Sequence, residues 1–149
     1  MSNSTLGNAE KLPNEHLNPT TYVAPFEHLR MQDVDIVGGK NASLGEMISQ
    51  LASAGVRVPG GFATTALAFR DFLAYPQADG SSLADRIADR LETLDTNDVR
   101  ALAKAGAEIR QWILDTPFQP RLQEEINQYY QKLVNDSVGE MSFATGTLR

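Results

Sequence analysis

The stretch "DIVGGKNASLGEM", residues 35–47, places two glycines and a lysine directly before an amphipathic run. The apolar residues of that run recur at steps of three and four, which predicts one helical face: Leu44, Met47, Ile48, Leu51 and Ala52. Ser43 and Glu46 have the spacing of a capping box, and Gly55 is a natural helix end. The sequence therefore predicts a helix that begins within a few residues of the glycine pair.

Gly38, Gly39 and Lys40 allow two interpretations. Glycine lets the main chain approach a ligand closely, and a helix start presents unpaired N–H groups and the positive end of its dipole. Lys40 would add a positive charge there, which favours a site for an anion such as phosphate. The stretch is not a Walker A loop, because Val34 stands at the first glycine position and Asn41 follows the lysine. The other interpretation is an ordinary loop with a solvated lysine, and spacing alone leaves both open.

The segments around this helix predict short strands. Residues 1–21 are rich in Asn, Ser, Thr and Pro and predict a flexible tail. Residues 22–24 predict a strand that Pro25 stops, followed by a short helix and a loop. After the first helix, Val56 and Val58 predict a strand, and a turn at residues 59–61 leads into a second extended piece.

The carboxyl-terminal half predicts helices. Thr64 or Thr65 would cap the first of them. Apolar spacing predicts three more, at residues 82–94, 97–114 and 119–134, and a final strand at "MSFAT", residues 141–145. The predicted fold class is α+β, mostly helical with a few short strands.

Composition excludes several classes of function. The net charge of −6 disfavours nucleic acid and anionic membranes as partners, and no apolar run is long enough to span a membrane. The chain has no cysteine, and its two histidines, His16 and His28, lack ligand spacing, so we expect no metal site. The amino-terminal residues do not resemble a signal peptide, so we expect a cytoplasmic protein.

Other chemically active residue types have structural interpretations. Gly60 and Gly61 predict an ordinary turn. Arg57, between Val56 and Val58, is predicted to lie on the solvent-facing side of a strand. Asp33 and Asp35 predict solvated loop carboxylates rather than a metal site. Three aromatic residues lie at helical spacing and predict core packing: Trp112, Tyr129 and Tyr130. We predict no catalytic residue among them.

Two longer stretches carry a resemblance. "DVDIVGGKNASLGEMISQLASAGVRVPGGFATTALAF" and "ALAKAGAEIRQWILDTPFQP" resemble the amino-terminal part of the phosphoenolpyruvate synthase (pyruvate, water dikinase) family. The resemblance covers residues 22–144. It implies the amino-terminal part of an ATP-grasp-like nucleotide-binding domain. The family makes phosphoenolpyruvate, AMP and phosphate from ATP, pyruvate and water, with Mg²⁺.

The resemblance also implies roles for individual residues. Lys40, with Gly38 and Gly39, matches the family's glycine-glycine-lysine, whose lysine contacts ATP phosphates. After Ser-Phe-Ala the family continues with Val-Arg-Ser-Ser-Ala-Thr, whose arginine also binds the nucleotide, whereas Gly146 stands at that arginine position here. We therefore expect a divergent end at residues 145–149.

The phosphohistidine and pyruvate domains of the family lie outside the resemblance. We therefore expect a truncated piece that binds ATP, is not catalytic alone, and would meet pyruvate only through those absent domains. The alternative is a non-enzymatic remnant that binds nucleotide weakly or binds a protein partner. Exposed apolar helix faces would then favour self-association.

Overall fold

The computed structural model of the protein describes residues 17–56 and 58–145, and side chains of the last helix as far as residue 137. The fold is α+β and mostly helical, as predicted. The strands are β1, Val23–Pro25, and β2, Phe62–Thr64. The helices are α1, Val34–Val37; α2, Gly39–Ser53; α3, Ala66–Ala74; α4, Leu83–Glu92; α5, Val99–Asp115; and α6, Pro120–Thr145. Two 3-10 turns, Phe26–His28 and Met31–Asp33, join β1 to α1.

The two strands form one antiparallel pair. Ala24 lies opposite Ala63, and Pro25 lies opposite Phe62. The predicted first strand is therefore confirmed with a shift of one residue, because Pro25 is tolerated at the end of an edge strand, where its missing N–H removes no ladder bond. The predicted strand at Val56 and Val58 is wrong, since neither residue belongs to a strand; Arg57 lies outside the described residues.

The helix predicted from the opening stretch is α2, but it begins earlier than a capping box would place it. Gly38 is its N-cap residue, so the predicted pairing of Ser43 with Glu46 at a helix start is wrong. Both side chains reach across to the turn at Met31 instead. The Met31 N–H donates to Glu46 Oε2 at 3.3 Å, and Ser43 Oγ lies 3.4 Å from Met31 Sδ. Gly55, at φ 76°, follows the helix end as predicted.

The segment before α2 has more regular secondary structure than the predicted short helix and loop. Asp33 is fully buried, and its Oδ2 accepts a hydrogen bond from the Arg30 N–H at 2.7 Å. The prediction of a solvated Asp33 is therefore wrong, because this carboxylate closes the second 3-10 turn. The turn leads directly into α1, so residues 34–37 are helical where a loop was predicted.

Side-chain caps mark the starts of α3 and α4, and the cap of α3 is one of the two threonines predicted for it. Thr65 caps α3 by accepting from the Ala68 N–H at 3.2 Å, and Ser82 forms a capping box with Asp85 at the start of α4. Pro120 is the first residue of α6, where its missing N–H removes no helical hydrogen bond. The predicted strand at residues 141–145 is wrong. The described sheet offers that segment no partner strand, and α6 continues through it.

Two clusters of buried side chains form the core. One joins the strands to α1 and α2: Leu17, Ala24, Leu29, Val37, Ala42 and Ala63. The other joins β1 to α3 and α6: Tyr22, Val23, Ala68 and Leu122. In the described part of the chain, no helix is both long and apolar enough to cross a membrane.

The three aromatic residues predicted to be core differ in burial. The Tyr129 ring is half-buried and lies 5.9 Å from the Phe62 ring. Trp112 is half-buried beneath the guanidinium of Arg86, at 4.0 Å. Tyr130 is 57% exposed, so its core prediction is wrong: it lies on the outer face of α6, one residue from Tyr129.

Candidate anion site at the start of α2

A single residue, Gly38, turns the chain from α1 into α2. Its backbone angles, φ 81° and ψ 158°, belong to a region that is essentially restricted to glycine. The Gly38 N–H donates to Val34 O at 2.8 Å, and Gly38 O accepts from the Ala42 N–H at 3.1 Å. Because both helices bond to this one residue, the turn has a fixed direction.

The start of α2 presents hydrogen-bond donors. The first bond of the helix runs from the Ala42 N–H, so the N–H groups of Gly39, Lys40 and Asn41 precede the intrahelical ladder. Such groups, together with the positive end of a 15-residue helix, favour an anion. Lys40 is the second residue of α2 and is exposed, so its charge adds to the same end.

Space around the turn is open. A Cβ atom placed on Gly38 or on Gly39 would meet no atom within 4 Å. The absence of side chains at both positions therefore leaves the main chain accessible to a ligand. The structure thus brings all three predicted site residues, Gly38, Gly39 and Lys40, to one end of one helix.

Asn41 lies beside the candidate site and was not singled out from the sequence. Its side-chain Nδ2 donates to Val37 O at 2.8 Å, and the residue is half-buried. The bond ties α2 back to the last residue of α1. Its only signal in the sequence was its position directly after the lysine.

Gly45 also escaped sequence reasoning, and it fixes the position of α2. A Cβ atom at Gly45 would lie 2.6 Å from Leu29 O and 2.7 Å from Phe26 O. The helix therefore packs with its backbone directly against the first 3-10 turn and the residue after it. This contact therefore fixes the position of α2 relative to the core, including the start of the helix about one and a half turns before Gly45.

The remaining candidates contribute no site in the described structure. Thr65 caps α3, and the Gly61 main chain packs against the Phe26 ring. Among residues 17–56 and 58–145, no group of three His, Asp or Glu side chains could hold a metal ion. His16 and Gly146 lie outside the described residues.

Two carboxylates with lowered pKa lie on other helices. The Arg90 guanidinium, 2.6 Å from Glu108 Oε2, lowers the pKa of Glu108 on α5. Hydrogen bonds from the hydroxyl and N–H groups of Ser82 lower the pKa of Asp85 on α4. These groups stabilise helix ends and helix packing rather than an anion.

Known proteins resemble most of this chain. The family model described as the pyruvate phosphate dikinase AMP/ATP-binding domain matches residues 34–145, which include the turn and α2. A phosphoenolpyruvate synthase of Neisseria meningitidis is 59% identical over 118 residues, 79% of this chain and 14% of the relative. The Escherichia coli phosphoenolpyruvate synthase is 56% identical over 111 residues, 74% of this chain and 13% of the relative.

A more distant relative shows the same pattern. The probable phosphoenolpyruvate synthase of Staphylothermus marinus is 43% identical over 112 residues, 75% of this chain and 12% of the relative. The chain thus spans about an eighth to a seventh of the length of these curated relatives. The resemblance inferred from the sequence is confirmed. The chain belongs to the family of the pyruvate phosphate dikinase AMP/ATP-binding domain.

Proposed function

We propose that this chain forms the phosphate end of an ATP site in a phosphoenolpyruvate synthase, with Lys40 contacting the phosphates. The observation that carries the proposal is the open turn of Gly38 and Gly39 at the start of α2, inside the region matched by an AMP/ATP-binding family. The free N–H groups and the exposed lysine offer hydrogen bonds and positive charge to one anionic group.

The proposed chemical role is charge stabilisation. Phosphoryl transfer depends largely on positioning the phosphates and on balancing the charge that develops on the transferred group. The Lys40 ammonium and the start of α2 would supply that balance. We expect no phosphoenolpyruvate from this chain alone, because it spans only 14% of a relative that carries out the whole reaction, and pyruvate would bind elsewhere.

We propose that Mg²⁺ arrives as Mg·ATP. Mg²⁺ prefers oxygen ligands in octahedral geometry and is usually held through substrate phosphates and one or two carboxylates. The described residues bring no three potential ligands together, so they do not form a metal site by themselves. A cytoplasmic location and a role in gluconeogenesis belong to the same proposal and rest on the resemblance to the synthases.

The test is a titration of Mg·ATP into the wild-type chain and Lys40→Ala, with thermal unfolding as the readout. A ligand at 100 times its Kd adds about 2.7 kcal/mol to the free energy of unfolding, so we expect a saturable rise in Tm for the wild type. Lys40→Ala should lose most of that rise. Lys104→Ala is the matched control, since it removes an exposed lysine from α5 instead.

Three outcomes would contradict the proposal. No rise in the wild type would favour the non-enzymatic remnant. An equal loss in Lys104→Ala would show that overall charge, rather than the turn, attracts the nucleotide. Formation of phosphoenolpyruvate from ATP and pyruvate by the purified chain would overturn the assignment of a binding role alone.

Self-association is a separate proposal that rests on exposed apolar side chains near the junction of α5 and α6. Leu114 is 77% exposed, Phe118 49% and Phe69, on α3, 53%, and the three side chains line one surface hollow. Exposed apolar residues grouped in this way favour contacts with another protein surface. Sedimentation of the wild type and Leu114→Ser over a range of concentrations tests this, and a monomeric wild type at every concentration would contradict it.

A further inference from the structure

We propose that Asn41 is a positioning residue for the phosphate site. Its side-chain amide orients the peptide between Val37 and Gly38, so that the free N–H groups of α2 and Lys40 face the bound phosphates. The inference rests on the function proposed above and assigns a role to a residue that need not touch the nucleotide.

The first step is that the peptide joining Val37 to Gly38 is held at both ends. Its carbonyl, Val37 O, accepts from Asn41 Nδ2 at 2.8 Å. Its N–H, on Gly38, donates to Val34 O, also at 2.8 Å. One bond comes from α2 and the other goes to α1, so the plane of this peptide is fixed relative to both helices.

The second step is that this plane determines the direction of the turn. Rotation about the Gly38 backbone is otherwise easy, because glycine has many accessible conformations. The observed angles, φ 81° and ψ 158°, are one choice among them. The Asn41 bond therefore selects the conformation in which α2 starts immediately and its first N–H groups are left free.

The third step separates positioning from direct binding. One of the two N–H groups of the Asn41 amide is bonded to Val37 O, and the residue is half-buried beside the turn. Lys40, by contrast, is exposed at the same helix end. A site whose donors are oriented before the ligand arrives binds more tightly, because less conformational freedom is lost on binding.

The test compares Asn41→Ala with Asn41→Ser, with Lys40→Ala as reference. The Kd for Mg·ATP is measured by calorimetry, well below the unfolding temperature of each variant. We expect the Kd to rise about tenfold in Asn41→Ala, the change that loss of one hydrogen bond produces. We expect a rise of about threefold or less in Asn41→Ser, because a serine hydroxyl can donate to the carbonyl four residues earlier.

A second readout follows the turn without nucleotide. The Gly38 amide should exchange its hydrogen faster in Asn41→Ala than in the wild type, and Asn41→Ser should restore part of the protection. A residue that only stabilised the fold would lower the unfolding free energy and leave the Kd of the folded protein unchanged.

The outcomes distinguish the inference from the function on which it rests. If Lys40→Ala weakens binding while Asn41→Ala binds as the wild type does, the positioning role is overturned and the phosphate site stands. Equal weakening in Asn41→Ala and Asn41→Ser would also overturn the positioning role. If Lys40→Ala binds as the wild type does, or if the wild type does not bind, the proposed function fails and the positioning role fails with it.

Discussion

The chain contains the dipeptide Gly-Gly twice, and the two copies have opposite surroundings. At Gly38 and Gly39, an added Cβ would meet no atom within 4 Å. At Gly61 it would lie 2.5 Å from Phe26 Cε2, and at Gly60 it would lie 3.3 Å from Leu133 Cδ1. The first pair leaves space in front of a helix start, whereas the second lets β2 approach the first 3-10 turn.

The difference shows that glycine content alone does not identify a ligand site. We call Gly38 and Gly39 the open glycines, and Gly45 and Gly61 the packed glycines. A side chain at a packed glycine collides with the protein itself. A side chain added at an open glycine contacts solvent or a ligand. Such a substitution therefore changes backbone strain and ligand binding rather than core packing.

The largest expected effect comes from Gly45→Ala. The new methyl group would overlap the carbonyl oxygens of Leu29 and Phe26, which are main-chain atoms and cannot rotate away. Overpacking of this kind costs typically 1–3 kcal/mol, and we expect about 3 kcal/mol here. Urea unfolding of the wild type and the variant measures it.

The matched control is Gly106→Ala, inside α5. There an added Cβ lies 3.4 Å from Arg110 Nη1, the far end of a flexible side chain. We expect a gain of about 0.5–1 kcal/mol from the better helix propensity of alanine. If Gly45→Ala and Gly106→Ala change stability by the same amount, the division into packed and open glycines is wrong for α2.

The next effect is that of Gly38→Ala. No collision is expected, but alanine must adopt φ 81° and ψ 158°, a region essentially restricted to glycine. We expect a loss of about 2 kcal/mol in the free energy of unfolding and a weaker response to Mg·ATP. A Gly38→Ala protein as stable as the wild type would show that the turn adopts another conformation.

Sequence patterns predicted the elements that depend on neighbouring residues. Apolar spacing predicted α2 through α6, and capping chemistry predicted Thr64 or Thr65 as the cap of α3, of which Thr65 is the one observed. The turn at Gly38 and Gly39 could also be predicted from neighbouring residues, because two glycines and a lysine directly precede residues with helical apolar spacing. Its placement as an anion site remains a prediction.

Contacts between distant residues could not be predicted in the same way. Glu46 has the spacing of a cap, but its carboxylate accepts from Met31, 15 residues earlier. Gly45 matters because Phe26 and Leu29 pack against it, which no local pattern records. The final apolar piece has the composition of a strand but lacks a partner strand, so it continues α6.

Gly39→Ala should separate stability from binding. The position is the first residue of α2 and has open space around it, so alanine should raise the free energy of unfolding by about 0.5 kcal/mol. The same methyl group would occupy the approach to the free N–H groups, and we expect the Kd for Mg·ATP to rise. A variant that gains stability and binds Mg·ATP normally would show that the ligand does not approach this side of the turn.

The smallest expected effect is on the pH dependence of the free energy of unfolding. It tests whether the open and the packed glycines differ in steric packing or in nearby charge. Arg90 lowers the pKa of Glu108 below its ordinary 4.5, so folding favours the ionised form. The resulting stability is present above the unfolded-state pKa and is lost as the pH falls through the lower folded-state value. Glu108→Gln should therefore flatten the fall in stability below about pH 4.5, which urea unfolding of the wild type and the variant at each pH measures.

The Arg90–Glu108 pair joins α4 to α5 and involves neither set of glycines. The stability differences that Gly45→Ala and Gly38→Ala produce should consequently stay constant between about pH 6 and pH 3, measured by urea unfolding at each pH. A difference that shrinks with acid for Gly38→Ala alone would mean that an ionised carboxylate contributes to the open turn. In that case a carboxylate of the protein itself would interact with the turn at Gly38 and Gly39. The open space in front of α2 would then no longer support a phosphate-binding site there.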